Sequence, residues 1–437
     1  MEAENVVFIA FFISAVVLFS IKVRDIITGI RLGQPLDCTD HKSERFGTMM
    51  RVAFGQSKMM TRPLVGVLHF FIYAGFLIIN LEILEIIIDG VTGSHRAFAF
   101  AGGIYNILIA SFEILAILTW VACVVFLIRR NIIKVKRFHY REMKGWPKSD
   151  ANFILLAEIF LMTAFLTMNA ADHLLQNKVD HYISAGSYPV SETLIEPMLA
   201  GLNDGALVIV ERLCWWFHII GILAFLNYLP YSKHFHIILA FPNVFFSNLK
   251  PKGRFTNLES VTSEVKLMLD PNANPYVAPA TDAAPKKFGA KEVTDLSWKQ
   301  LMDAYACTEC GRCSSACPAT QTGKLLSPRK IMMDTRDRIE VVVEGRKKSG
   351  KDFNDGKSLL GDYILPEELW ACTSCNACVE ECPVNIDPLS IIIDLRRFLV
   401  MEESKAPQSL ALMFTNIENN GAPWQFSPAD RLKWKDE

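Results

Sequence analysis

Apolar residues are not spread evenly along the chain. They gather in five long runs, residues 6–22, 64–88, 104–128, 152–171 and 213–240, each near the roughly 20 residues that an α-helix needs to cross a bilayer core. The first run follows Glu2 and Glu4 instead of a basic segment, and no small-residue cleavage site comes after it, so it reads as a retained helix and not a signal peptide. Beyond residue 245 the pattern changes. Pro271, Pro275, Pro279 and Pro285 stand among alanines and polar residues, a composition that makes a tether or a strap along a neighbour. Further on, SPRKIMMDTRDRIEVVVEG predicts a helix with Ser327 as its cap and Pro328 in its first turn, and a second helix is predicted from Pro388. The expected fold is all-α. A five-helix transmembrane bundle over 1–245 is followed by a linker over 246–295, a mostly helical module over 296–405 and a partner-docking tail over 406–437.

Composition sharpens this division. The mean hydropathy of +0.23 over 437 residues is an average of an apolar half and an ordinary soluble half. A net charge of −1 gives no support to a nucleic-acid binder. The charges are distributed by loop, with sixteen Lys and Arg in the segments 22–62 and 129–150 against only Arg96, Lys178 and Arg212 in the intervening ones. Positive charge stays on the cytoplasmic side. The N-terminus is therefore expected outside, and everything after the fifth helix in the cytoplasm.

Histidine inside a span is costly and marks function by default. His69 falls in the inner third of the second run. His218 and His236 are 18 residues apart in the fifth. On a continuous helix that is five turns, about 27 Å, with both rings on one face. His69 and His236 are then level and suited to clamp a b-type haem, since haem iron accepts axial imidazole. His218, expected near the outer surface, is paired with His173, with His181, His95 or no haem at all as alternatives. Glu82, Glu85, Glu113 and Glu158 are intramembrane acids, each a candidate proton relay or a packing partner.

Eight of the eleven cysteines lie in two runs, CTECGRCSSACP over 307–318 and CTSCNACVEECP over 372–383. Both are C-x2-C-x2-C-x3-C-P. A cubane takes thiolates from several directions, and in two-cluster ferredoxins the fourth cysteine of each run serves the other cluster. The implied sets are Cys307, Cys310, Cys313 with Cys382, and Cys372, Cys375, Cys378 with Cys317. Disulfides do not suit a cytoplasmic location, and zinc favours paired knuckles with longer gaps. The 54 residues between Cys317 and Cys372 exceed what a minimal ferredoxin needs.

Residues 1–245, above all the segment ERLCWWFHIIGILAFLNYLPYSKHFHIILAFPNVFF, resemble the cytochrome b fold of the respiratory nitrate reductase gamma subunit and the membrane subunit of heterodisulfide reductase. Residues 300–400 resemble the helical ferredoxin domain of heterodisulfide reductase and of the iron–sulfur oxidoreductases that pass electrons from electron-transfer flavoprotein to quinone. The tail NNGAPWQFSPADRLKW is similar to the segment that joins that module to a cysteine-rich CCG domain. Two departures stand out. Where the gamma subunit has a second histidine ten residues on, this chain has Ile79, and no CCG cysteines follow the tail, so that chemistry is expected on another subunit.

The resemblance implies an oxidoreductase subunit that carries electrons through two [4Fe-4S] clusters and haem b. Its expected partners are a CCG-domain subunit or electron-transfer flavoprotein on one side and menaquinone in the membrane on the other. The alternatives are a quinol-driven heterodisulfide or sulfur-compound reductase, a component of a larger respiratory supercomplex, and a membrane anchor whose clusters stabilise an assembly or sense redox state.

Overall fold

The structure, a computed structural model, describes residues 3–251, 253–271 and 287–436. Among these the chain is helical, with isolated bridges at Gln34–Ser297 and Leu360–Ile364 in place of any sheet. Five helices are long and apolar enough to cross a membrane: α1 (Ala3–Ile30), α2 (Pro63–Thr92), α3 (Gly103–Asn131), α4 (Trp146–Leu175) and α5 (Asp204–Tyr228). Their starts obey local rules. Proline occupies the first turn of α2 and α4, where its missing N–H is no loss, and Asn203 caps α5 by accepting from Ala206 N. The seams run α2 to α3, α3 to α4 and α4 to α5, with α1 laid across α2 and α5.

The fifth apolar run is not one helix. α5 ends at Tyr228, a tight turn covers Leu229–Tyr231, a second covers Lys233–Phe235, and a separate helix α6 (His236–Phe245) begins at the histidine. Pro230 explains the break, because its ring cannot continue the α-helical ladder. His218 and His236 therefore do not share one face of a straight helix, nor stand at opposite surfaces of the bundle.

The module begins earlier than its hydropathy suggests. Residues 287–295, read as linker, pack against it: Ala290 N donates to Asp394 O at 3.0 Å, and Arg338 pairs with Glu292 at 2.7 Å. Within the remainder of that stretch Glu259–Leu269 is helical, and Pro275, Pro279 and Pro285 lie outside the described residues. The module is built on α7 (Trp298–Ala306), α8 (Pro328–Ser349) and α9 (Pro388–Met401), with α10 (Gln408–Asn420) beyond them. Ser327 accepts from Lys330 N and Asp387 from Ser390 N, capping α8 and α9 where the sequence put their starts.

Bundle and module share one core. At 28 residues α1 extends about 42 Å, beyond a hydrocarbon core of about 30 Å. Its overhang brings Ile26 into the apolar cluster of Leu301, Tyr305, Ile339 and Leu395, which Leu229, Phe235 and Leu239 join from the end of the bundle. Gly33 sits where a Cβ would lie 2.4 Å from Trp298 N, and this close approach lets Gln34 N donate to Leu296 O at 2.7 Å and Gln34 O accept from Trp298 N at 3.1 Å. The basic segments 22–62 and 129–150 are thus on the module's side of the bundle.

Candidate redox centres

The two cysteine runs fold alike. Their third and fifth positions are left-handed, Glu309 and Gly311 upstream (φ 53 and 71) and Ser374 and Asn376 downstream (φ 56 and 60). Each loop then enters one turn of helix, Arg312–Ala316 or Ala377–Glu381, and these two turns pack on each other. The result brings the fourth cysteine of each run to the other. Cys382 faces Cys307, Cys310 and Cys313, while Cys317 faces Cys372 and Cys378. Backbone N–H groups point at sulfur, Ser374 N to Cys372 Sγ at 3.4 Å and Ile386 N to Cys382 Sγ at 3.3 Å.

This donor set suits a polynuclear iron–sulfur group. Burial pushes the Cys307 and Cys382 thiols up to about 12, so thiolate there needs a bound cation to be stable. Among the described residues no three ligating side chains close tightly enough to grip a single ion. A cubane, in which each thiolate holds a different iron, asks for wider spacing.

The upstream run is buried under the bundle. Glu309 pairs with Lys233 from the turn before α6 and with Arg336 at 2.9 Å, and these cations hold its carboxyl below the usual range against the effect of burial. Arg329, fully buried, donates to Arg137 O at 2.8 Å and pairs with Glu142 at 2.8 Å, both in the segment between α3 and α4. Lys58 donates to Cys382 O at 3.2 Å, and Arg62 pairs with Glu381 at 3.2 Å. Those last two contacts are made by the end of the downstream run, whose second cysteine, Cys375, is exposed. Arg396 stacks on Trp370 at 5.1 Å and donates to Cys372 O at 2.5 Å, fixing the entry to that run.

Directly above the upstream run, between α2, α3, α4 and α5, lies a mostly apolar cavity of about 480 Å³. His69, His218, His234 and His236 line it, with Thr308, Glu309 and Cys310 at its floor. Three of these rings are held the same way. The Nδ1 of His69 meets Gln56 Oε1, that of His218 meets Leu161 O, and that of His236 meets Lys233 O, each at 3.0 Å. Because each of those oxygens accepts, Nδ1 carries the proton and Nε2 keeps its lone pair, the tautomer of a histidine prepared to ligate a metal. The Nε2 of His218 is buried without a partner among the described residues. Arg62, Arg129, Arg130, Arg137 and Lys233 also line the cavity, toward its module end. An apolar space of this size with free imidazole nitrogens and a basic rim suits a haem with two propionates.

His173 is elsewhere. It pairs with Glu196 at 2.5 Å and packs on Tyr188, about 12 Å along α4 beyond the Phe165 ring that packs tilted against His218. The structure does not bring His218 and His173 together. Of the four acids, Glu158 lines the large cavity. Glu113 accepts from Val190 N at 2.9 Å and Ser191 N at 3.1 Å, anchoring the short helix Pro189–Leu194, a packing role. Gln56, Lys233 and Arg329 were missed by sequence reasoning. Their partners are 13 to 192 residues away, and only Pro230 hinted at the turn that carries Lys233.

The profile of the 4Fe-4S dicluster domain family matches residues 303–386. Over 97% of its length the chain is 29% identical to the "Probable iron-sulfur-binding oxidoreductase FadF" of Bacillus subtilis, and over 91% it is 26% identical to the EtfAB:quinone oxidoreductase of Syntrophomonas wolfei. It spans 59% and 55% of those two relatives. A shorter stretch, 35% of the chain, is 35% identical to a "Probable membrane-anchored ferredoxin" of Chromohalobacter salexigens, covering 25% of that protein. No solved structure matches significantly. The similar proteins are iron–sulfur oxidoreductases or their subunits, and the chain shares their dicluster domain behind five apolar helices.

Proposed function

We propose that the chain is the membrane electron-transfer part of an oxidoreductase. It links a redox partner at the module, a CCG-type iron–sulfur unit or electron-transfer flavoprotein, to menaquinone in a bacterial inner membrane. Two [4Fe-4S] clusters and one haem b would supply the one-electron carriers. Cys307, Cys310, Cys313 and Cys382 hold one cluster and Cys372, Cys375, Cys378 and Cys317 the other, while His69 and His236 ligate the haem.

One observation carries this reading: Cys310 and the prepared histidines line the same cavity. The exposure of Cys375 favours the downstream set as the entry point, and the place of Cys310 at the cavity favours the upstream set as the station next to the membrane. Phe76, Leu77 and Asn80 line the cavity and are also exposed on the lipid side of α2, which suits access for a quinone. The name of the Syntrophomonas relative, with its flavoprotein and quinone, favours this assignment of partners. A second reading runs electrons from quinol to a heterodisulfide. It is favoured by 31% identity, over 27% of the chain, to one of the CoB-CoM heterodisulfide reductase subunits of Methanosarcina acetivorans.

Optical and EPR spectra of the purified full-length protein test the proposal. Two cluster signals and a b-type band are expected, with the band lost in His69→Ala and in His236→Ala and kept in His173→Ala. A band that survives both of the first two substitutions, or no band at all, overturns the haem assignment. Reduction by quinol against reduction by the reduced flavoprotein separates the two directions.

A further inference from the structure

At the end of the bundle opposite the module a second cavity, about 100 Å³, is lined by residues of α1, α2, α4 and α5 and the loops beyond them. That is room for several waters. Its rim is exposed at Glu4, Ser94 and His181, and its floor is the buried Glu82. Ten residues of α2 separate Glu82 from Thr92, about 15 Å, so the floor lies roughly half a hydrocarbon core below the end of the helix.

The chemistry of the walls is lopsided. Glu4, Glu82, Glu85, Asp89, Asp172 and Glu211 line the cavity against Arg96, Arg212, His95 and His181. Even with both histidines charged, carboxylates outnumber cations, and an uncompensated buried carboxylate takes up a proton or another cation. The hydrogen bonds say which. Glu85 accepts from Phe98 N at 2.7 Å and Tyr105 OH at 3.0 Å, and Asp89 from Ser94 Oγ at 2.8 Å and Arg96 N at 2.9 Å. Asp172 accepts from Arg96 Nε at 2.9 Å and lies 3.3 Å from His95 Nε2, and Glu211 accepts from Tyr182 OH at 3.0 Å and from Arg212. Glu82 accepts at Oε1 from Arg96 Nη1 at 2.9 Å, but its Oε2, buried in a side chain 1% exposed, has no partner among the described residues. A metal cation would need several free oxygens converging on it. Glu4 is exposed at the rim, and the single buried carboxylate oxygen left without a partner among the described lining residues, Glu82 Oε2, suits a proton.

The septum between this cavity and the larger one is thin. On α2, Ile79 lines the large cavity and Glu82 the small one, less than a turn apart; on α5, His218 and Trp215 divide in the same way. Phe165 and Ile219, both buried, belong to the same core cluster as Ile79 and Trp215, with the Phe165 ring tilted against His218. We propose that the small cavity is a hydrated proton-exchange vestibule on the membrane face opposite the iron–sulfur module, with Glu82 as the buried acid that gains and loses the proton. The exchange is a proton moving between Glu82 Oε2 and water reaching it past Ser94 and His181. It goes beyond the electron-transfer reading and needs neither haem nor quinone to be observed.

The test is infrared difference spectroscopy of the full-length protein, oriented in lipid vesicles, between acid and alkaline buffer. A protonated-carboxyl carbonyl band that shifts in D₂O is expected in the parent, lost in Glu82→Gln and displaced in Glu82→Asp. It should follow the pH on the face opposite the module. No such band, a band unchanged in Glu82→Gln, or one that follows the pH on the module's side overturns the proposal. So does a band that moves when sodium replaces potassium at fixed pH, which would mark a cation site. If Glu82→Gln does not fold, Glu82→Asp keeps an acid opposite Arg96, and an unmoved band there overturns the proposal equally.

Discussion

The two cysteine runs share spacing, left-handed positions and the single helical turn that follows, yet their surroundings differ. The upstream run is roofed by the bundle and bound to it by Lys233, Arg329 and Glu142, with Cys307 8% exposed. The downstream run has Cys375 open to the outside. A motif therefore decides which atoms can ligate, whereas the neighbours decide where in a chain of carriers those ligands stand. The exchange of fourth cysteines ties the two environments together, and it is also the easiest place to break the comparison.

The largest effect is expected from Cys317→Ala. Cys317 belongs by sequence to the buried run but faces Cys372 and Cys378 of the exposed one. The EPR spectrum of the reduced variant should match that of Cys375→Ala, with one cluster signal and its iron lost. A match to Cys310→Ala would mean that each run keeps its own fourth cysteine.

Next comes the roof. Arg329 is fully buried and pairs with Glu142, whose side chain is 8% exposed. Arg329→Met leaves that carboxylate without its cation, and losing one partner of a buried pair costs about 3–5 kcal/mol. Thermal unfolding in detergent should fall accordingly, and protease should gain access to the 129–150 segment. Truncating Arg396 beside the downstream run, partly buried and bonded to carbonyls and the Ser374 hydroxyl with no carboxylate partner among the described residues, should cost less. Equal losses would mean that the two runs are equally anchored.

Much of this was legible in the chain. The five spans, the helix starts at Pro328 and Pro388, the first with its cap Ser327, and the dicluster pattern are local signals, set by hydropathy, by one side chain reaching back to a helix end and by cysteine spacing. The break after Tyr228 was present as Pro230 but hidden inside an apolar run, so His218 was assigned the wrong depth. The docking network could not be read at all, because Arg329 and Glu142 are 187 residues apart and each looks like an ordinary surface charge. The same holds for the bond from His218 to Leu161 O, which makes an anonymous buried histidine a candidate ligand.

A smaller effect distinguishes the runs at their fifth positions. Gly311 and Asn376 have nearly the same φ, 71 and 60, which both residue types accept. A Cβ on Gly311 would lie 2.3 Å from Arg329 Nη1, while Asn376 carries a side chain at the matching place. Gly311→Asn should therefore push the roof away and cost about 1–3 kcal/mol, the range for overpacking. Asn376→Gly should cost under about 1 kcal/mol. Unfolding temperatures of the two variants check this, and comparable losses would show that the left-handed turn, not the roof, demands glycine upstream.

The smallest effect is a pH dependence confined to the roofed side. Burial alone would raise the Glu142 carboxyl, but the Arg329 charge and the hydrogen bonds from Ser327 and Arg329 outweigh it and hold it below its ordinary value. A carboxyl depressed in the folded state adds stability that is fully present above its unfolded pKa and is lost as the pH falls through the folded one. The contact between the 129–150 segment and the module should therefore loosen on acidification, beginning near the ordinary carboxylate range of about 4. Amide hydrogen exchange of residues 137–143, followed from neutral to acid, should rise in the parent. In Glu142→Gln it should start higher and change less. Equal slopes in the two proteins would mean that Arg329 holds the roof through Arg137 O alone, and that the charge on Glu142 adds nothing to the burial of the upstream run.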